Sequence, residues 1–432
     1  MRVIRVEKPF HRLGCSTGWI EGTPRARVKA QRIAAAGLFG LAVTATVTIS
    51  ARNPLLAWGY CLGIFLPCLY GLVISLRESH TRRNWSRNGI RYSTPAGALV
   101  LLSLWGFGQL ALGVTEYRQG TWNESLRMAA LGGTAYAAAF SLASADLRLR
   151  FLRGFAWFGF VLSAISFVAY FTSPGQVLWL FPSPYPDVWG PFLSRNDFAG
   201  FLELSFPVAL WMSLDVSVQR ARMPLWVPAW MLAAGVASGS RAGAALLLVE
   251  AAVILVTAAR QRIRFRFVLL AVLLVALTGA GALLGRLNDR DPLRYRREMA
   301  SSTLQMIAER PWRGFGIGTY ALVYPAYAQF DSGAVVEHAH NHWLEWAAEG
   351  GIPFALVWGA LACGIFLPAV RSIWGLGTSV AFLHALVDYP YARFGLTAWN
   401  FALIGALLAI EMREVGVPLH LHSSRNLEEN DS

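Results

Sequence analysis

Twelve apolar runs punctuate this chain, and they decide which solvent it folds in. The runs fall at 33–50, 55–76, 96–114, 127–144, 154–171, 198–214, 225–238, 242–259, 267–284, 352–370, 377–391 and 395–411. A helix needs roughly 20 residues to cross a bilayer, so the shorter runs must tilt or recruit flanking small and aromatic residues. Within lipid the backbone must satisfy its own hydrogen bonds, which leaves helices or a closed barrel. Unbroken apolar runs do not fit the alternating pattern of barrel strands. The expected fold class is an all-α polytopic membrane protein with about twelve transmembrane helices. Composition agrees, since only 15% of the residues are charged, against about 25% in soluble proteins.

Charge sets the orientation. With the amino terminus inside, the segments 1–32, 77–95, 145–153, 215–224, 260–266, 371–376 and 412–432 face the cytoplasm and hold 25 of the 38 Lys and Arg. Seven of the other 13 lie in one long outer loop, and long loops count little in the positive-inside rule. Both termini are therefore expected in the cytoplasm, with the chain in the inner membrane. The net charge of +13 is distributed as membrane anchors, so nucleic acid is not an expected partner and membrane lipids are. The 32 polar, basic residues that open the chain do not read as a cleavable signal. Cys15, Cys61, Cys68 and Cys363 have neither metal nor thioredoxin spacing and read as small hydrophobes.

The domain plan that follows is a cytoplasmic segment 1–32, nine transmembrane helices over 33–284, a large periplasmic loop 285–351, three more helices over 352–411, and a cytoplasmic tail 412–432. The 67-residue loop is the anomaly, because loops of that length usually carry a function. Its first half reads as an amphipathic helix over about 292–309, ended by Pro311, and a second helix begins near 340. The outer stretch 172–197, rich in Pro and Trp, is expected on the membrane surface.

Arginines and histidines concentrate on the outer side. Arg195 stands in SRNDFAG before the sixth apolar run, and Arg241 in ASGSRAG between the seventh and eighth. Arg290, Arg294 and Arg297 are spaced four and three apart, on one face of the loop helix. Guanidinium forks suit a phosphate; the competing reading is interfacial arginines snorkelling to headgroups. VVEHAHNHWLEW places His338, His340 and His342 within five residues. No HExxH is present, helical spacing would gather only two of the three, and no metal or cofactor is expected. One histidine as a general base, titrating near neutrality, is the stronger reading. Asn341 either orients a partner or caps the following helix, and Glu345 and Glu349 are expected to pair with arginines. His384 and Asp388 lie four apart in HALVDYPYARFG, with Asp388 placed to orient Arg393 or a loop arginine. Asp289-Arg290-Asp291 and the Gly-rich GFGIGTY lack the context of a sugar-transferase metal site or a nucleotide loop.

SRNDFAGFLELSFPVAL, ASGSRAG, the stretch from Ala300 through MIAERPWRGFGIGTY, HAHNHWLEWAAEGGIP and HALVDYP occur in that order. Together they resemble the bacterial O-antigen ligase and polymerase superfamily, membrane glycosyltransferases that use glycans carried on undecaprenyl pyrophosphate. The resemblance spans about 190–411 and departs from the family at Phe354, where a Gly is common. It implies a metal-independent inverting transfer to an acceptor hydroxyl, at the periplasmic face. The catalytic residues it implies are His340, Arg195 and Arg241; substrate would be bound by Arg195, Arg241, Arg294, Arg297, Asn341 and His338. His338 and His342 compete with His340 as base, and the loop arginine is either Arg294 or Arg297. The donor implied is an undecaprenyl-pyrophosphate-linked glycan. A lipid A core acceptor makes the chain a ligase, a second lipid-linked glycan a polymerase, and a Ser or Thr a protein O-oligosaccharyltransferase. A transporter of lipid-linked sugars is the non-enzymatic alternative, but it would show related halves and polar groups near the midplane.

Overall fold

In the computed structural model the residues described are 23–48, 54–79, 89–183, 185, 187–214, 222–257, 261–278, 294–329 and 335–415. They form an almost wholly helical molecule. Its helices are α1 (Thr23–Thr48), α2 (Pro54–Ser79), α3 (Gly89–Ala111), α4 (Arg118–Ser141), α5 (Ala145–Thr172), α6 (Arg195–Leu214), α7 (Trp226–Ala237), α8 (Arg241–Thr257), α9 (Gln261–Thr278), α10 (Arg294–Glu309), α11 (His342–Arg371), α12 (Leu376–His384) and α13 (Phe394–Val415). Two-residue strands β1 (Gln176–Val177) and β2 (Phe181–Pro182) make a small antiparallel hairpin, with Gln176 opposite Pro182.

Four of the described helices are long and apolar enough to cross a membrane: Val28–Thr48, Ala145–Thr172, Arg195–Leu214 and His342–Arg371. Shorter apolar helices occur at Ala57–Leu69, Gly97–Ala111, Trp226–Ala237, Phe265–Val275, Ile373–His384 and Phe394–Ile410. The expected number of about twelve is thus not reached on length and composition; several apolar runs give helices shorter than a bilayer needs. The surface is nonetheless that of a lipid-facing protein. Leu55, Leu62, Leu66, Val256, Phe265, Val272 and Leu356 are among many large apolar side chains left exposed, far more than a water-soluble monomer shows.

Helix α6 is the axis of the bundle. All of its residues from Asp197 to Leu210 are buried, a pattern expected only of a helix surrounded by others. It packs against α5, α7, α8 and α12. Aromatic pairs fill the gaps, such as Phe155 stacked on Trp399 at 4.3 Å and Trp346 on Trp358 at 4.1 Å. The 172–197 stretch is only partly a surface feature. Trp179, Leu180 and Phe181 are exposed, but Trp189 is buried between Tyr170 at 4.3 Å and Phe198 at 5.1 Å.

One attachment of the large loop to the bundle is a break in α11. Helix α11 is interrupted at Gly351 (φ 80°, ψ 168°), the last residue of the expected loop. The turn after α10 docks there: Ile352 N–H donates to Pro311 O at 2.7 Å, Phe315 N–H to Ala348 O at 3.1 Å and Gly316 N–H to Glu349 O at 2.9 Å. Gln109, near the end of α3, donates to Arg313 O and Glu349 O and accepts from Ile317 N–H. Arg310 pairs with Glu116 at 2.6 Å. Inside the loop Tyr320 contacts Thr303 by a hydrogen bond of 2.8 Å, and burial pushes its phenol well above its ordinary range, so it stays neutral. Glycine is required at 351 twice over, for the positive φ and because a Cβ would stand 2.6 Å from the Trp312 carbonyl. Gly351→Ala is expected to destabilise the protein by roughly 2 kcal/mol or more, read as a lowered unfolding midpoint in detergent.

Candidate active site

The site is built where the head of α11 meets the turn after α12. His342 N–H, at the first residue of α11, donates to Ala385 O at 2.8 Å and Asp388 O at 3.2 Å, and Tyr391 N–H donates back to His342 Nδ1 at 3.3 Å. The His342 ring is buried and stacked on Trp346 at 4.9 Å. Its Nδ1 lone pair is occupied by a backbone donor, so this histidine is a structural pin. Asn341 caps α11, its side-chain oxygen accepting from Leu344 N–H at 3.1 Å. That capping satisfies a backbone donor otherwise orphaned at a helix start.

This docking turns the preceding residues toward a cavity of about 430 Å³. His338 and His340 lie on its wall with Tyr389, Arg393, and Tyr295 and Met299 from α10. His340 adopts φ 50°, a conformation that costs a non-glycine residue free energy. Its Nδ1 lies 3.2 Å from Asp388 Oδ1. A carboxylate can only accept, so Nδ1 carries the proton, and in the neutral ring Nε2 then holds the lone pair. Asp388 lies in the turn beyond the end of α12 and is buried. His340, His384 and Arg296 all act on it electrostatically. An imidazole oriented by a buried carboxylate, with its second nitrogen unprotonated, is the arrangement of a general base.

His338 is held differently. Its Nδ1 donates to Glu345 Oε1 at 2.8 Å, and its ring stacks on Tyr389 at 4.5 Å. Glu345 Oε2 accepts from Ala339 N–H at 2.8 Å, and Glu349 Oε1 accepts from Tyr320 N–H at 2.8 Å. The expected pairing of both glutamates with arginines is therefore replaced by a histidine and two backbone amides. Glu345 Oε1 also lies 3.9 Å from His342 Nε2, whereas the carboxylate at His340 is Asp388. Among the described residues no group of three His, Cys, Asp or Glu is placed to hold a metal ion.

Among the described residues, the cation on the cavity wall is Arg393. It makes a 2.9 Å ion pair with Asp197 on α6, both side chains being about nine-tenths buried, and lies over the Tyr389 ring at 5.1 Å. The sequence offers Arg393 only as a partner for Asp388, five residues before it in DYPYARFG. Nothing local to that segment points to Asp197.

Arg195 and Arg241 are the first residues of α6 and α8. Ser194 accepts from Asn196 N–H at 3.1 Å and Ser240 from Gly243 N–H at 3.2 Å, so a serine caps each helix just before its arginine. Ser240 also donates to Asn196 Oδ1 at 2.8 Å, and a Cβ on Gly243 would meet Ala199 Cβ at 2.3 Å. The two helix starts are thus clasped together. A cation at a helix N-terminus adds to the positive end of the macrodipole, and Asp197 in the first turn of α6 offsets part of that charge. Arg195 pairs with Asp187 at 2.8 Å, and its neighbours Leu193 and Ser194 line the cavity. Neither Arg195 nor Arg241 is itself on the wall.

From the loop helix α10, Tyr295 and Met299 reach the cavity and Arg296 acts on Asp388. Arg297 is exposed on the same helix. Arg294 opens α10, while its side chain, Arg290 and Asp289-Arg290-Asp291 lie outside the described residues.

Two comparisons bear on this site. A family profile described as O-Antigen ligase matches residues 226–359, a span with Arg241, α10 and the three loop histidines but without Arg195, Asp388 and Arg393. A protein of Pseudomonas aeruginosa named O-antigen ligase is 27% identical over 292 residues, covering 63% of this chain and 68% of its own length.

The Asp197–Arg393 pair allows a direct check. Asp197→Ala leaves a buried guanidinium uncompensated and is expected to cost about 3–5 kcal/mol. The double variant Asp197→Ala/Arg393→Met should recover part of that loss, as thermal unfolding of the purified proteins would show.

Proposed function

We propose that this chain, which both matches support assigning to the O-antigen ligase and polymerase superfamily, moves a glycan from undecaprenyl pyrophosphate to an acceptor hydroxyl at the periplasmic face of the inner membrane. The observation that carries this reading is the Asp388-oriented His340 on the wall of a cavity shared with Arg393. In the reading, about twelve helices cross the membrane, both termini are cytoplasmic, and 285–351 is the periplasmic loop that closes over the reaction.

The acceptor O–H attacks the anomeric carbon of the donor sugar. His340 Nε2 takes the hydroxyl proton, the new glycosidic bond forms, and the bond from the anomeric carbon to the pyrophosphate oxygen breaks. Undecaprenyl pyrophosphate leaves with the electron pair. A single displacement of this kind inverts the anomeric centre. Charge grows on the pyrophosphate as it departs, and fixed cations aimed at developing charge usually supply most of the rate acceleration at such a site. Arg195 and Arg241 provide them at the paired starts of α6 and α8, where two helix dipoles add to the guanidinium charges. Arg393 serves from the wall. A loop arginine completes the set, and Arg296, whose charge reaches Asp388, joins Arg294 and Arg297 as a candidate. Asp388 holds His340 in its productive tautomer; His338 and Tyr389 shape the wall. The polyprenyl chain lies against apolar surface by simple burial.

The acceptor favoured is the lipid A core, which makes the chain an O-antigen ligase. In lipid vesicles with lipid-linked glycan and lipid A core, the protein is expected to form product on the core. His340→Ala should lower turnover by about 10²–10⁴-fold and Arg241→Ala by about 10²-fold or more. Glycan growing on the carrier without core would make the protein a polymerase. No product from folded protein with either acceptor would overturn the reading.

A further inference from the structure

Beneath the cavity lies a second set of ionisable groups that the transfer reaction does not use. Glu203, in the middle of α6, and His384, the last residue of α12, are both almost wholly inaccessible. His384 Nδ1 lies 2.8 Å from Glu203 Oε1 and 2.9 Å from Oε2, so the imidazole donates into the carboxylate fork. Across the ring, Nε2 is buried without a hydrogen-bond partner among the described residues and faces Asp388 Oδ2 at 4.0 Å. That separation is too long for a hydrogen bond but short for two charges in a water-poor interior. Asp388 then binds His340 through its other oxygen. A contiguous path of Glu203, His384, Asp388 and His340 therefore runs from the buried heart of the bundle to the cavity wall.

Buried ionisable groups in a membrane protein are costly and are retained for a reason. A packing role alone would be met by apolar residues of similar volume. The arrangement along the path has a specific electrostatic consequence. A ring that donates to one carboxylate and faces a second at 4.0 Å is electrostatically favoured in its protonated form, which places a positive charge behind Asp388. That charge offsets the Asp388 carboxylate and limits how strongly it favours the protonated, non-basic form of His340.

Resting on the function proposed above, we infer that Glu203 and His384 are positioning residues that set the basicity of His340 through Asp388. Other charged groups face the same path. Glu250, from α8, is fully buried, interacts electrostatically with Glu203, and among the described residues has no hydrogen-bond partner at either carboxyl oxygen. Asp197 on α6 acts on His384, Arg393 next to α13 pairs with Asp197, and Arg296 on α10 acts on Asp388.

The test reads His340 directly, so that it does not depend on transferase activity. Carbethoxylation of His340 is followed by peptide mass spectrometry across pH in the full-length protein, with Glu203→Gln and His384→Gln beside the natural sequence. His384→Gln removes the positive charge behind Asp388 directly, and Glu203→Gln removes the carboxylate that favours the protonated ring; in both, the pH midpoint for modification should rise, by roughly half a unit or more in His384→Gln. With active protein, kcat at pH 7 should fall several-fold while KM changes little. An unchanged midpoint in either folded variant would overturn the inference. A raised midpoint in a protein that transfers no glycan would uphold the coupling and sink the proposed reaction instead.

Discussion

Everything at the site hangs on the joint between the head of α11 and the turn after α12. Three backbone-anchored hydrogen bonds around His342 fix it, with the buried Trp346 and Trp358 stack behind. The joint brings His340 against Asp388, His338 against Glu345 and both rings against Tyr389. It also imposes the left-handed backbone at His340, a local cost of the kind found at functional sites. A histidine base needs its orienting partner within hydrogen-bond reach, and here that partner comes from a separate helix–turn element.

The loop's other attachment works in the same sense. Gly351 breaks α11 so that its first nine residues belong to the loop and the remainder to the bundle. Because Gln109 and the turn after α10 bind to that break, α10 is carried over the cavity mouth with Tyr295 and Met299 directed to the wall. The loop is thus a folded cover with its own small core around Met306, Phe315 and Tyr320. Such a cover can shield the reacting centre from water while leaving the bundle open to lipid.

Much of this layout is written in local sequence. The period of the apolar residues marks the loop helix that ends before Pro311, and Asn341 before His342 marks a helix start, whereas residue 351 reads only as the end of the loop and not as a break within one helix. The two serine-arginine segments read as arginines beside helix ends, but that the two helix starts lie side by side is visible only in the fold. What the sequence conceals are partners distant along the chain. His340 meets a carboxylate 48 residues away, and His384 one 181 residues away. Glu345 and Glu349 look like partners for arginine, but backbone amides and His338 are closer once the loop folds. Arg393 reads locally as a partner for Asp388, whereas Asp197 on α6 is what fixes it on the cavity wall. Helix count suffers from a different cause, since hydropathy finds apolar runs but not whether each is long enough to cross alone.

In the proposed reaction the cavity beneath the loop holds the pyrophosphate end of a lipid-linked glycan. A photo-crosslinking residue at Val336, on the cavity wall, tests this most directly, with one at the lipid-exposed Leu269 of α9 as the reference. Capture of the lipid-linked glycan at Val336, competed away by undecaprenyl pyrophosphate and absent at Leu269, is the predicted result. Capture that is equal at both positions, or that free undecaprenyl pyrophosphate fails to displace, would contradict it.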